Sequence, residues 1–243
     1  MSEAQVPWIW AFFVCPGGTT VPYVLDPPSG LTARATAFLR AHGRAGVVPV
    51  AYEHDDIELR QRLFEAFGPV PGDPVALLRE LRQRYAGLSW PSPFFGEQVF
   101  LDPLLDPEPG DPRIEFRYAV HPTTAGCPGA HLLLDGTVVI GRAGEPGVAA
   151  FPSLDHLIET DALLHSLRGA PELDPAAVDG PAVRPVPEAS GPTSRWWTDG
   201  RAVRHLDTTW VELGDSPLPT DRAWALPTGL LPAAPEGSGR LPA

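Results

Sequence analysis

Lysine and asparagine are absent from this chain of 243 residues, and all 18 of its basic residues are arginine. Such a composition is typical of a high-GC genome. Asp and Glu together number 30, so the formal net charge is −12 at pH 7. Duplex nucleic acid is bound through a basic surface, which the composition does not supply. The charge therefore argues against nucleic-acid binding and favours either plain solubility or attraction to a basic partner.

Cysteine is scarce, and no long hydrophobic run is present. Cys15 and Cys127 lie too far apart for a metal or redox motif, so each is interpreted as a small buried apolar residue. The apolar stretch 6–14 is much shorter than the roughly 20 residues that span a bilayer. No arginine precedes it, whereas a signal peptide has a basic region before its apolar stretch. We therefore expect a cytoplasmic protein with no membrane segment.

Four stretches have the apolar spacing of helices. They cover residues 31–42, 55–67, 73–85 and 153–167. Their candidate N-caps include Asp55 or Asp56, Asp73 and Ser153. In the second helix we expect Ile57, Phe64 and Phe67 to face the core.

Strand patterns occupy much of the remaining chain. They cover residues 6–14, 21–25, 47–52, 114–120, 131–134 and 137–140. Asp135 and Gly136 separate the last two strands and predict a tight hairpin with positive φ at the glycine. The proline-rich stretch 86–112 is expected to be a loop, with one short strand left open as an alternative around Phe94, Phe95, Val99 and Phe100. We predict an α+β fold, mainly an antiparallel sheet with helices packed on it.

Proline and glycine, with 31 and 24 residues, divide the chain. Residues 1–169 are expected to form the α+β domain. Residues 170–192 hold six prolines and are expected to be a linker. A tryptophan-rich region, 193–226, has strand character over residues 195–213 and is expected to extend the sheet or form a small subdomain. The tail 227–243 is expected to be flexible.

A cluster of carboxylates is the first candidate for partner binding. It consists of Glu97, Asp102, Asp106, Glu108 and Asp111. The cluster lacks the ligand spacing of a calcium loop, so it is either an acidic interaction surface or a solvated loop. Trp196 and Trp197 are the second candidate, because tryptophan beside arginine is common at interface hot spots. Neighbours on a strand face opposite ways, so one of the two indoles belongs to the core.

The residues that could carry catalysis are His121, Cys127 and His131. Cysteine and histidine can act as nucleophile and base or bind zinc, but zinc needs three or four closely spaced ligands. His156 and Glu159, one helical turn apart, favour a solvated face over a metal site. No cofactor or metal site is predicted.

Three segments resemble one protein family. Residues 31–43 (LTARATAFLRAHG) are similar to the opening helix of the SUKH superfamily of bacterial immunity proteins. Residues 132–138 (LLLDGTV) resemble its late hairpin, and residues 148–159 (VAAFPSLDHLIE) resemble its last strand and Ser-capped helix. The likeness covers about half the chain. It implies an α+β binding protein that blocks a polymorphic toxin by occupying its active surface.

Three functional hypotheses follow. The first is a non-catalytic immunity-type protein that neutralises or docks a basic partner, such as a toxin, through an acidic surface. The second is an enzyme, hydrolytic or biosynthetic, that uses residues near 121–131. The third is a scaffold that docks through its tryptophan-rich end. The oligomeric state is left open.

Overall fold

The computed structural model describes residues 24, 26–46, 55–70, 72–105, 113–116, 129–142, 147–227 and 229–231. Its α-helices are α1 (Ala33–His42), α2 (Asp56–Phe67), α3 (Pro74–Tyr85), α4 (Leu154–Ser166) and the short α5 (Thr209–Glu212). The first four confirm the predicted helices to within two residues at either end. Residues 209–212 were expected in a strand and are helical instead. In the described part of the chain, no helix has the length and apolarity needed to cross a membrane.

Local capping explains where these helices begin. Asp55 accepts a hydrogen bond from the backbone N–H of Ile57, and Asp73 accepts one from Ala76, as N-cap carboxylates commonly do. Ser153 makes no such bond and instead pairs with Nδ1 of His156 at 2.9 Å.

Three antiparallel sheets accompany the helices. The first has the order β1 (Arg44–Ala45), β2 (Leu88–Ser92), β3 (Glu97–Phe100). The second runs in chain order through β4 (Pro103–Leu105), β5 (Arg113–Phe116), β6 (Gly129–Leu133), β7 (Val138–Gly141) and β8 (Val148–Phe151). The third has the order β10 (Arg184–Pro185), β11 (Ser194–Thr198), β12 (Ala202–Asp207), β13 (Thr220–Ala225), β9 (Glu172–Leu173). The protein is therefore an α+β fold, as predicted.

The hairpin between β6 and β7 confirms the expected turn. Gly136 has a φ of 89°, a backbone conformation that side chains disfavour. Leu132 lies opposite Val138 in the register. Several predicted features lie outside the described residues. They are the strands 6–14 and 47–52, most of the strand 21–25, residues 117–120 of the strand 114–120, and most of the tail.

The expectation of a loop over 86–112 is wrong for β2 and β4, whereas β3 is the short strand left open at Val99 and Phe100. Proline lacks the backbone N–H that a central strand needs on both sides. Pro91 is tolerated because β1 pairs with β2 only at Leu88 and Ser89, beyond the reach of the proline. Pro103 begins β4, which lies at an edge of its sheet. Residues 106–112 lie outside the described ranges.

The linker expected over 170–192 is built into the third sheet. Strand β9 pairs with β13, and β10 pairs with β11. Two short 3₁₀ helices, Pro175–Ala177 and Pro187–Ala189, occupy the intervening stretches. Edge strands and the first turns of helices are positions that tolerate proline, which explains how a proline-rich segment folds as part of the sheet.

Helix α4 lies between two hydrophobic cores. Its Leu157 and Ile158 belong to the larger core, which it shares with α1, α2, α3 and the first two sheets. Its Leu163 and the following Leu167 pack in a second core with residues of the third sheet. Because both sides of α4 are covered, the helix is buried almost all round.

Candidate functional site

A row of three consecutive polar residues lies inside the protein on α4. Glu159, Thr160 and Asp161 are all buried, and each points to a different neighbour. Asp161 accepts three hydrogen bonds, from Trp90 Nε1 at 2.7 Å and from Ser92 Oγ and the backbone N–H of Phe94 at 2.9 Å. Its carboxylate therefore ties α4 to β2 and the turn that follows it.

Burial dominates the chemistry of Asp161. Removal from water raises the pKa of its carboxyl from an ordinary 3.8 to about 7, although the three donors oppose the rise. Its partners are a core indole, a buried hydroxyl and a backbone amide. Asp161 is thus a structural carboxyl group inside the core.

Glu159 closes the N-terminus of α1. Its carboxylate accepts hydrogen bonds from the backbone N–H of Thr32 at 2.6 Å, from Thr32 Oγ1 at 2.7 Å and from Arg34 Nη2 at 2.8 Å. A carboxylate at a helix N-terminus is favoured by the orphan N–H groups and the helix dipole. The expectation that Glu159 lies on a solvated face is therefore wrong.

A cleft opens between α1 and the end of α4. Its volume is about 760 Å³, and its wall includes Arg34, Phe38, His42, His165, Ser166 and Glu188. Residues Gly229 and Leu230 close one side. We call this feature the α1–α4 cleft.

Three rings cluster on the wall of the α1–α4 cleft. The His42 and His165 ring centroids lie 4.1 Å apart, and that of Phe38 lies 5.2 Å from His165. Burial, helped by His42 and Arg168, lowers the pKa of His165, which favours the neutral form of its imidazole. The cleft thus combines a cluster of aromatic rings with a carboxylate, that of Glu188.

A second surface feature is an exposed apolar face on α2. Ile57 and Phe64 are 73% and 64% exposed, whereas Leu59 and Leu63 of the same helix are buried. The prediction that Ile57 and Phe64 face the core is wrong because the apolar residues of α2 fall on two faces and only one meets the core. We call Ile57, Gln61 and Phe64 the α2 face.

Ion pairs surround the α2 face. Arg60 donates two hydrogen bonds to Asp73, at 2.6 and 2.9 Å. Arg79 of α3 binds Asp56 at 2.5 Å. These arginines are neutralised locally, while the exposed Glu65 and Asp55 add negative charge to the helix.

The structure divides the predicted acidic cluster. Glu97 begins β3 and is half-buried. Asp102 was expected to bind a partner but is buried, so that expectation is wrong. The reason is that the chain after β3 turns inward with Leu101. Asp106, Glu108 and Asp111 lie outside the described residues.

The two tryptophans have different surroundings. Trp196 is fully buried and stacks on His205, with ring centroids 4.0 Å apart. The expectation that Trp196 contacts a partner is therefore corrected: it belongs to the core of the third sheet. Trp197 is half-buried on the opposite side of β11, beside the exposed Arg195, as the alternation of a strand requires.

Of the candidate catalytic trio, His131 alone lies among the described residues. His131 is buried in β6, opposite Glu115 and Val139. His121 and Cys127 lie outside the described ranges. Across the part of the chain that the structure describes, no group of three or more His, Cys, Asp or Glu side chains is placed to hold a metal ion.

Sequence reasoning missed the polar row of α4 and the α1–α4 cleft. A local signal for the row exists: Glu159, Thr160 and Asp161 stand between Leu157-Ile158 and Ala162-Leu163, so apolar residues surround them on every side of the helix. The cleft has no local signal, because its wall joins residues more than 100 positions apart.

Comparison with known proteins adds no relative: no family model, no curated protein and no solved structure matches the chain.

Proposed function

We propose that this protein is a non-catalytic binding protein of the immunity type, which neutralises or docks a basic protein partner such as a toxin. The observation that carries the proposal is the α2 face. Ile57 and Phe64 stand two turns apart on one side of a helix, about 10 Å from each other. Both are mostly exposed, although burying a large apolar side chain away from water is energetically favourable.

Such a pair has the character of an interface anchor. Protein interfaces combine a small apolar centre, rich in aromatic residues, with a polar rim. On α2 the apolar centre is Ile57 and Phe64, and the rim consists of charged side chains already engaged with one another, such as Arg60 with Asp73. A partner that covers the α2 face would bury the apolar pair, and Arg60 would keep its carboxylate partner Asp73 in the interface.

Charge favours a basic partner. The chain carries a formal net charge of −12, and Asp55 and Glu65 add carboxylates beside the α2 face. Complementary charge speeds association and selects against acidic proteins. Immunity proteins of the SUKH superfamily, which residues 31–43, 132–138 and 148–159 resemble, act by binding, and this likeness supports the same reading.

The alternatives receive less support. The scaffold hypothesis loses Trp196 to the core and rests on Trp197. The enzyme hypothesis relied on His131, whose side chain is buried, together with His121 and Cys127. No observation favours either alternative over binding through α2.

The test is capture of the partner from native-host lysate at low and at high salt, followed by purification of the captured protein and titration. We expect one basic protein at equal stoichiometry, with weaker binding at high salt. The double variant Ile57→Asp/Phe64→Asp should weaken the purified complex by at least about 100-fold, since hot-spot truncations cost 2 kcal/mol or more.

Leu218→Asp is the matched control. Leu218 is 72% exposed, like Ile57, but lies before β13 and away from α2. Its substitution introduces one aspartate, against the two of the double variant, and should leave the affinity unchanged. Equal affinity of the α2 double variant and the wild type would refute the α2 face as the docking site, and an acidic captured partner would refute the charge argument.

A further inference from the structure

The α1–α4 cleft has charges that disfavour an anion. Arg34 lines it, but its guanidinium is already bound to Glu159, with Glu188 Oε1 at 3.9 Å on the other side. Two carboxylates therefore flank one buried cation. A negatively charged ligand that approached Arg34 would meet both of them at short range.

The same arrangement suits a cation. The Glu188 side chain is 34% exposed and its contact with Arg34 is long, so its oxygens can accept hydrogen bonds from a group that enters the cleft. Ser166 Oγ donates its proton to the carbonyl of Ala162 at 2.7 Å. The Ser166 hydroxyl therefore faces a ligand as an acceptor.

The ring cluster supplies a wall of three mutually tilted aromatic rings for that cation, with interplanar angles of 42° to 51°, although Phe38 is itself buried. Phe38, His42 and His165 lie with centroids 4.1 to 5.6 Å apart. A planar guanidinium stacks on aromatic faces and is less strongly hydrated than an ammonium group. Burial lowers the pKa of His165, which favours the uncharged form of its ring beside a positive charge.

We propose that the α1–α4 cleft binds the guanidinium group of an arginine side chain presented by the basic partner, with Glu188 as its carboxylate and the Phe38–His42–His165 cluster as its stacking wall. This inference rests on the proposed function, since it names the residue type with which the partner is anchored. Arginine is favoured over lysine because a point charge would use the carboxylate but not the wall. The volume of about 760 Å³ falls within the range of small-ligand pockets.

The first test needs no partner. The probe is N-acetyl-arginine methylamide, which resembles an arginine residue within a chain, and the readout is the NMR signals of the His42 and His165 rings. The neutral isostere N-acetyl-citrulline methylamide is the matched control ligand. We expect saturable shifts with the arginine probe, with a Kd on the order of millimolar for a single side chain, and weaker or no shifts with the citrulline probe.

Glu188→Gln should weaken binding of the arginine probe by up to about fivefold, which is the size of one partly exposed ion pair. Glu172→Gln is the matched control, because Glu172 is an exposed glutamate on β9 that pairs with Arg222 outside the cleft. Equal response to the arginine and citrulline probes, or no effect of Glu188→Gln, would overturn the proposal. Binding of agmatine without binding of the blocked arginine would also overturn it, in favour of a small free amine.

The partner from the lysate separates this inference from the proposed function. If Glu188→Gln and the α2 double variant both weaken the complex, both proposals are supported. If only the α2 double variant does so, the arginine anchor is refuted and the proposed function stands. If the arginine probe binds the cleft but no basic partner is captured, the proposed function fails and the cleft is a site for another arginine-bearing ligand.

Discussion

Replacing Asp161 with asparagine should change how the free energy of unfolding depends on pH. The carboxylate accepts from Trp90 through Oδ2 and from Ser92 and Phe94 through Oδ1. An asparagine keeps one acceptor oxygen and presents N–H groups where the second oxygen stood. The Trp90 indole N–H then lacks its partner, which costs about 1–3 kcal/mol at any pH.

The pH-dependent effect of the substitution favours the variant and is thus opposite in sign to the cost of the lost hydrogen bond. The folded pKa of Asp161, about 7, lies above the ordinary 3.8, so folded Asp161 keeps its proton after the unfolded chain has lost it. Unfolding then releases a proton, and a rise in pH favours unfolding. Through linkage, the free energy of unfolding of the wild type falls by about 4 kcal/mol between about pH 4 and about pH 7 because of this one group.

His205 hides this trend in the wild type. Burial lowers the pKa of its imidazole from 6.5 to about 3, so unfolding takes up a proton between these pH values and stability rises with pH there. The two contributions oppose each other over about pH 4 to 6.5. Only the difference between the wild type and Asp161→Asn isolates Asp161.

Urea unfolding followed by tryptophan fluorescence at a series of pH values measures that difference. We expect the asparagine variant to be the less stable protein near pH 4 and to gain about 4 kcal/mol relative to the wild type by neutral pH. Asp174→Asn is the control: this exposed residue caps the 3₁₀ helix Pro175–Ala177 by accepting from Ala176, and asparagine can do the same. Parallel profiles of the wild type and Asp161→Asn would refute the reasoning, and a relative loss on going to neutral pH would show that the hydrogen bonds outweigh burial.

Three further substitutions have defined outcomes. His205→Phe keeps a ring in the buried stack but removes the titrating group, so its urea-unfolding stability should fall less than that of the wild type as the pH drops from about 6.5 to about 3. Gly191→Ala would place a methyl group 1.9 Å from a carbonyl oxygen of β8 and should lower thermal stability by about 2 kcal/mol or more, whereas Gly129→Ala, where nothing lies within 4 Å, should change it little. Glu159→Ala leaves the buried Arg34 without its closest carboxylate and should cost about 3–5 kcal/mol, measured by urea unfolding.

Local signals were enough to predict the first four helices and the central hairpin. Asp55 and Asp73 mark helix starts through bonds that reach only two or three residues along the chain. Gly136 marks its turn through its own backbone angle. Each of these features depends on neighbours in sequence, so periodicity and capping rules are able to find it.

Predictions failed where a residue's surroundings come from distant segments. Ile57 and Leu59 are equally apolar, and only the packing of the other helices decides that the second is buried. Glu159 reads as a solvated residue until α1, more than 100 positions earlier, brings Thr32 and Arg34 to it. The same distance separates the two walls of the α1–α4 cleft, so no pattern in the sequence indicates that cleft.

The buried polar row on α4 also constrains the order in which the chain acquires structure. Glu159 bonds to a residue 127 positions earlier, and Asp161 to residues 67 to 71 positions earlier. Contacts of such long range form slowly, because closing large loops is entropically unfavourable. During synthesis on the ribosome, the donors of α1 and of the β2–β3 hairpin lack these acceptors until α4 has been made. A chain that ends before Leu154 would therefore lack the acceptors for the donors in its earlier half. The larger core closes only once α4 has been synthesised.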